Sequence, residues 1–287
     1  MRIAQRVFVV GCSRSGTTVF QSHLGRHPRV WTFPESNFYR KLLGPKPHKL
    51  RNRLGIVDPR RVKRAFAALR QEVDGFSVTP QLPVFSARSA TGLFVDEIDR
   101  LALENGADVW LEKTPKHFLN IEQIERYIQS PKVIHLIRDG REVVASIVDR
   151  ARRFPRRYGH QADPEVAIKL WNEAMRVAVA CVHRDNHTVV VYEGFVAQAE
   201  DVLRTVCRFI DIDYAPQMFA SHEISPNVMV AGEQWKAEAT QALYAKPLKF
   251  PELFDHGERQ SIEQRLSMDL YDELCRCGQG FRRLGVC

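Results

Sequence analysis

Residues 7–18 constrain the fold of this chain more than any other stretch. Val7-Phe8-Val9-Val10 is an unbroken apolar run that leads directly into Gly11-Cys12-Ser13-Arg14-Ser15-Gly16-Thr17-Thr18. A strand apolar at every position needs cover on both faces, the situation of a parallel sheet between helical layers. The loop then opens a short helix carrying Val19, Phe20 and Leu24, with His27-Pro28 as its stop. Strand, small-residue loop and helix N-terminus together turn successive backbone N–H groups toward one point, and such a point suits an anion.

The same unit recurs. Asp108-Val-Trp-Leu111 is strand-like and is followed by a helical stretch from Pro115 through Ile121, Ile124 and Ile128. Lys132-Val-Ile-His-Leu-Ile137 is a second buried strand, leading through Arg138-Asp139-Gly140 into Val143, Val144, Ile147 and Val148 on one helix face. Thr188-Val-Val-Val-Tyr192 is a fourth strand before a helix carrying Val202, Val206, Phe209 and Ile210. Strands alternating with helices predict one α/β domain over 1–287, with a central parallel sheet flanked by helices and right-handed crossovers. Asp58-Pro59 and Asp163-Pro164 each read as an N-cap with proline in the first turn, opening helices to about Glu72 and through Val179. Residues 73–90, rich in Pro, Ser and Gly, read as a loop, and Pro226–Pro251 as a lid or substrate loop.

Composition narrows the partners. The 42 basic and 34 acidic side chains give a net charge of +8, which points to an anion without naming it. The basic runs 60–64 and 150–157 belong to no known nucleic-acid reading motif, so nucleic acid is not expected. Six cysteines with no CxxC pair favour reduced thiols, and neither a metal nor a disulfide framework is expected. No apolar run approaches the roughly 18–20 residues of a membrane span, and the N-terminal apolar run is too short for a secretory signal, so a cytoplasmic protein is expected.

Two stretches carry the chemistry. Gly11 and Gly16 have the spacing of the nucleotide-triphosphatase loop GxxxxGK[ST], but Thr17 stands where its lysine would be, and the positive charge sits inside the loop at Arg14. No strand-terminal aspartate for magnesium is evident, so the loop suits a phosphate-like group better than ATP hydrolysis. Arg138 falls at the carboxyl end of a buried strand, where open α/β sheets place ligands, and Ser146 follows eight residues later. An arginine and a hydroxyl so placed suit a second phosphate.

Together these stretches resemble the sulfotransferases that use 3′-phosphoadenosine 5′-phosphosulfate (PAPS). The similarity is carried by Arg14-Ser15-Gly16-Thr17-Thr18 with His27-Pro28, and by Ile137-Arg138-Asp139-Gly140-Arg141 through Ser146. Pro34-Glu35, Glu112-Lys113-Thr114-Pro115 and Val190-Val191-Tyr192-Glu193 follow in the family's order. It is strongest toward the tyrosylprotein, carbohydrate and bacterial members and covers roughly residues 6–200. Gly232-Glu-Gln-Trp235-Lys236 resembles a further nucleotide element, without the Arg-Lys-Gly that usually precedes it.

The resemblance implies a P-loop-like topology and a transferase moving a sulfuryl group from PAPS, as co-substrate, to a hydroxyl or amine. Arg14, Ser15, Gly16, Thr17 and Thr18 would bind the 5′-phosphosulfate, Arg138 and Ser146 the 3′-phosphate, and Tyr192 would touch the adenosine. Lys113 would reach the leaving oxygen as electrostatic stabiliser or acid. Glu35, among Trp31, Phe33, Pro34, Phe38 and Tyr39, would be the base in an apolar pocket, with His117 the second choice. Segments 36–107 and 215–260 would bind the acceptor, whether small molecule, glycan, lipid or peptide. A small-molecule kinase with a degenerate loop, or a nucleotide-binding module without catalysis, are the competing readings.

Overall fold

The apolar runs become neighbouring strands. β1 (Gln5–Gly11), β2 (Val30–Thr32), β3 (Val109–Lys113), β4 (Pro131–Ile137) and β5 (His187–Val191) form a parallel sheet in the order β2-β3-β1-β4-β5. The computed structural model describes residues 2–44, 54–219 and 248–279. β1 pairs with β3 from Gln5↔Val109 to Val9↔Lys113, and β2 with β3 from Val30↔Val109 to Thr32↔Leu111. Val7, Phe8, Val9 and Val10 are all fully buried, as an all-apolar central strand requires. Helices flank the sheet, giving the expected α/β domain.

The described residues fall into two compact units. The first lies within Met1–Val9, Thr18–Val133 and Tyr214–Gln241. Its helices are α1 (Thr17–Leu24), α2 (Phe38–Leu43), α3 (Pro59–Glu72), α4 (Ala87–Glu104) and α5 (Ile121–Tyr127). The Asp58 carboxylate accepts from the Arg60 N–H at 2.8 Å and starts α3 where the Asp-Pro pair predicts. Phe38 of α2 stacks on Phe94 of α4, ring centres 4.3 Å apart, and meets the edge of Phe66 of α3. That aromatic core fixes α2.

The second unit lies within Val10–Thr17, Ile134–Asp213 and Ala242–Cys287. It holds α6 (Gly140–Arg153), α7 (Pro155–Tyr158), α8 (Pro164–Cys181), α9 (Tyr192–Ala197), α10 (Ala199–Phe209), α11 (Lys249–Leu253), α12 (His256–Arg265) and α13 (Met268–Gln279). Asp139 caps α6 through the Arg141 N–H at 2.8 Å. The Glu193 carboxylate accepts from the Asp139 N–H at 3.1 Å and from the Tyr271 hydroxyl at 2.9 Å, so it braces the turn that follows Arg138. Glu142 accepts from the Lys249 and Phe250 N–H groups, both at 3.1 Å, and anchors the start of α11.

Some boundaries differ from the sequence reading. β3 runs on past Leu111 to end at Lys113, which was expected beyond the strand, and Tyr192 opens α9 rather than closing β5. Pro115–Asn120 is a 3-10 helix before α5. The loop at 73–90 stops at Ser86, whose hydroxyl accepts from the Ser89 N–H and caps the 18-residue α4. Strand β2 was not foreseen, because three residues cannot show a period.

Candidate active site

The small-residue loop is built in the second unit. Gly11 leaves β1 at φ +150°, and a Cβ there would sit 2.2 Å from the Leu136 carbonyl oxygen. Gly16 has φ +92°, and a Cβ would sit 2.3 Å from the Tyr192 ring. Only glycine tolerates both conformation and crowding at these two positions. Arg14 between them has φ 76°, a conformation that costs a non-glycine residue of order 1–3 kcal/mol. Its guanidinium is buried, and Nε donates to Ser146 Oγ at 3.0 Å.

Arg138 comes to the same loop from the end of β4. Its Nη1 donates to the Arg14 carbonyl at 3.4 Å, and its guanidinium lies 4.6 Å from the centre of the Tyr192 ring. The Trp171 indole N–H holds the Arg138 carbonyl at 3.0 Å. Arg14, Ser146, Arg138 and Tyr192 are therefore one group. Burial lowers Arg14 to about 10, and the nearby positive charges of Arg150 and Arg138 add to the effect. Asp149 opposes it, but that carboxylate also pairs with Lys249. Two polar atoms here, Ser15 Oγ and Arg138 Nε, are buried without a partner among the described residues. Crowded cations and orphaned donors are what an anion site offers.

The first unit holds the other predicted residues. Lys113, wholly buried, donates to Glu35 Oε1 at 2.5 Å and to Thr18 Oγ1 at 3.3 Å. The Glu35 side chain is 27 % exposed. The apolar pocket expected around Glu35 is thus modified: the immediate neighbour of the carboxylate is an ammonium group. Thr18 and Glu35 bracket that ammonium.

His117 has a different task. Its ring is buried, Nδ1 lies 3.0 Å from Glu112 Oε2, and Nε2 accepts from the Tyr39 N–H at 3.3 Å. With both nitrogens committed, it is poorly placed as a base. The carboxylate it meets belongs to Glu112, for which the sequence pattern assigns no role. Glu112 is fully buried and accepts from Ser36 Oγ at 2.7 Å and Thr114 Oγ1 at 2.6 Å as well. Burial opposes its ionisation, yet these three partners hold it below the usual carboxylate range. Only its place beside Lys113 in Glu112-Lys113-Thr114 hinted at a role.

Other clusters resolve differently. Arg150 lies 4.2 Å from the centre of the Tyr158 ring and donates to Gln161 at 2.7 Å. Arg152, Arg153, Arg156 and Arg157 are exposed about the C-terminus of α6 and along α7. His135, Cys181 and His187 form a buried group whose ligand-capable atoms lie within 4.8 Å of one another. The two rings already share a hydrogen bond of 2.8 Å, so a proton links them. No described helix is long and apolar enough to cross a membrane. The Gly232–Lys236 element, Cys287 and much of the 215–260 segment lie outside the described residues.

Comparison with known proteins decides the family. The profile of the "Sulfotransferase family" matches residues 6–216. The chain belongs to the sulfotransferase family. It is therefore a transferase enzyme. It is 26% identical over 225 residues to a "Putative protein-tyrosine sulfotransferase" of Caenorhabditis briggsae, covering 77% of this chain and 70% of the relative. It is 24% identical over 213 residues to a "Protein-tyrosine sulfotransferase" of Drosophila melanogaster, with 72% and 38% covered. The fold is shared with the sulfotransferase domain of the curacin biosynthetic pathway, at TM-score 0.55 and 17% identity, covering 93% of this chain and 99% of that one. Mouse sulfotransferase SULT7A1, solved with PAP, gives a TM-score of 0.54 at 10% identity, covering 98% and 89%.

Proposed function

We propose that this sulfotransferase uses PAPS as donor and a tyrosine hydroxyl of a peptide or protein as acceptor. One observation carries the donor: Arg14 and Ser146, 132 residues apart in sequence, are in contact, and Arg138 joins them. Two phosphate-seeking elements in one group suit a nucleotide with phosphates at both ends. The PAP of the mouse structure supports this reading, and the tyrosine acceptor is taken from the names of the two relatives.

The residues divide the labour. Loop N–H groups, Ser15 and Arg14 hold the 5′-phosphosulfate, while Arg138 and Ser146 hold the 3′-phosphate. Tyr192, already carrying the Arg138 guanidinium on its face, serves the adenosine side. Glu35 takes the acceptor's proton as the new S–O bond forms, and the old S–O bond to the phosphate breaks. Lys113 stays charged and offsets the negative charge developing on the leaving oxygen. The products are a sulfate ester, adenosine 3′,5′-bisphosphate and protonated Glu35.

Two measurements test this. Adenosine 3′,5′-bisphosphate should raise the melting temperature and ATP–magnesium should not. The reverse result would favour the kinase reading. Labelled PAPS should then pass its sulfate to a tyrosine peptide, and Glu35→Gln should slow transfer by about 10²–10⁴-fold with bisphosphate affinity kept. Bisphosphate binding without transfer to any acceptor would leave the non-catalytic module.

A further inference from the structure

Glu112 sits beside the reacting pair and does something other than react. Ser36, Thr114 and His117 each donate a hydrogen bond to its carboxylate, at 2.7, 2.6 and 3.0 Å. Each of the three also accepts from a backbone N–H. Thr114 Oγ1 takes that of Asn37 at 3.1 Å, Ser36 Oγ that of Phe38 at 3.1 Å, and His117 Nε2 that of Tyr39 at 3.3 Å. A helix start leaves its first N–H groups without intrahelical partners, and here three consecutive ones are served by three side chains. Glu112 aligns all three. A hydroxyl hydrogen committed to the carboxylate leaves the oxygen lone pairs facing the backbone, and the imidazole is fixed as its Nδ1–H tautomer.

The consequence reaches Glu35 through the chain. Asn37 is held at φ 47°, ψ 25°, a left-handed turn that reverses the backbone before α2. Ser36 follows Glu35, and Glu112 precedes Lys113 on β3. The same two segments are therefore tied at adjacent residues, Ser36 to Glu112 and Glu35 to Lys113. We infer that Glu112 is a positioning residue, whose buried carboxylate locks the 35–39 turn and thereby sets the Glu35 carboxylate for proton transfer. The inference rests on the sulfotransferase reading above for its catalytic half alone. A base must be held to within a fraction of an ångström, and a backbone clamp one residue away does this better than a flexible side chain.

The test uses the full chain with Glu112→Gln, Thr114→Val and Thr114→Ser. Residue-resolved amide exchange at 37–39 reads the clamp. Kinetics with labelled PAPS and a tyrosine peptide read the consequence. In Thr114→Val, Asn37 should lose protection and kcat should fall at least about tenfold, with affinity for adenosine 3′,5′-bisphosphate unchanged. Thr114→Ser should restore both. Glu112→Gln keeps one carbonyl oxygen for Ser36 and Thr114 but turns its NH2 toward His117, so the Tyr39 amide should lose protection, with kcat lowered and the acidic limb of the kcat–pH profile displaced. If Glu112→Gln does not fold, the Thr114 pair decides. A Tyr39 amide still protected in Glu112→Gln, unchanged kcat in Thr114→Val, or equal losses of kcat and bisphosphate affinity would each overturn the inference. A wild-type chain that transfers nothing would remove the catalytic half with the proposed reaction, while the exchange pattern would still decide the clamp.

Discussion

The two units each bury a polar cluster, and the clusters are balanced in opposite ways. Around Glu112 one negative charge meets three donors, and every donor is itself anchored to backbone. Around Arg14, three arginines come together, Asp149 is shared with Lys249, Glu142 stands 3.8 Å from Arg138, and Ser15 Oγ and Arg138 Nε have no partner among the described residues. A cluster closed on itself contributes to the fold. A cluster with surplus charge lowers stability slightly and contributes binding energy when an anion neutralises it.

The contrast can be broken from either side. The largest effect is expected from Glu112→Ala, which strands three buried donors at about 1–3 kcal/mol each. Chemical denaturation should show a loss of about 3 kcal/mol or more, and a loss below 1 kcal/mol would mean the cluster is not closed. Arg14→Ala should do the reverse. Stability should hold or rise, because a strained, crowded cation is removed, while affinity for adenosine 3′,5′-bisphosphate falls by about 1.5–3 kcal/mol. A stability loss matching that of Glu112→Ala would erase the distinction between the clusters.

A smaller effect sharpens the comparison with pH. His135, unlike His117, has no carboxylate beside it, and burial lowers it to about 3, helped by His187 and Arg184. Its folded pKa lies below the unfolded 6.5, so the unfolded chain takes the proton first as pH falls. Stability is then full above 6.5 and declines from there toward 3, by at most about 1.4 kcal/mol per pH unit for this one group. Denaturation across that window should give a slope one proton shallower in His135→Gln. Equal slopes in the two proteins would refute the assignment.

What could be read in advance follows the range of the interactions. The 11–18 loop, the Asp58-Pro59 and Asp163-Pro164 helix starts and the buried β4 are written in consecutive residues, and each appears where the pattern places it. Lys113 and Glu35 were expected in separate roles, but their 2.5 Å contact joins residues 78 apart. Glu112 was invisible as a hub because its donors come from Ser36, Thr114 and His117 and share no local pattern. Helix α4 was partly hidden because the Pro- and Ser-rich loop before it masks the Ser86 cap. Tyr192 was read as the end of a strand, since nothing in Val190-Val191-Tyr192 marks where extended backbone turns helical.

The central place of β1 has a consequence for how the chain is made. β1 leaves the ribosome well before its partner β3, whose residues begin at 109, and its loop arginine waits a further 132 residues for Ser146. Val7-Phe8-Val9-Val10, wholly covered in the finished protein, is therefore an exposed apolar segment for much of synthesis. Such long-range closure slows folding. The segment that prepares the anion loop is also one that a nascent chain must keep shielded until distant partners arrive.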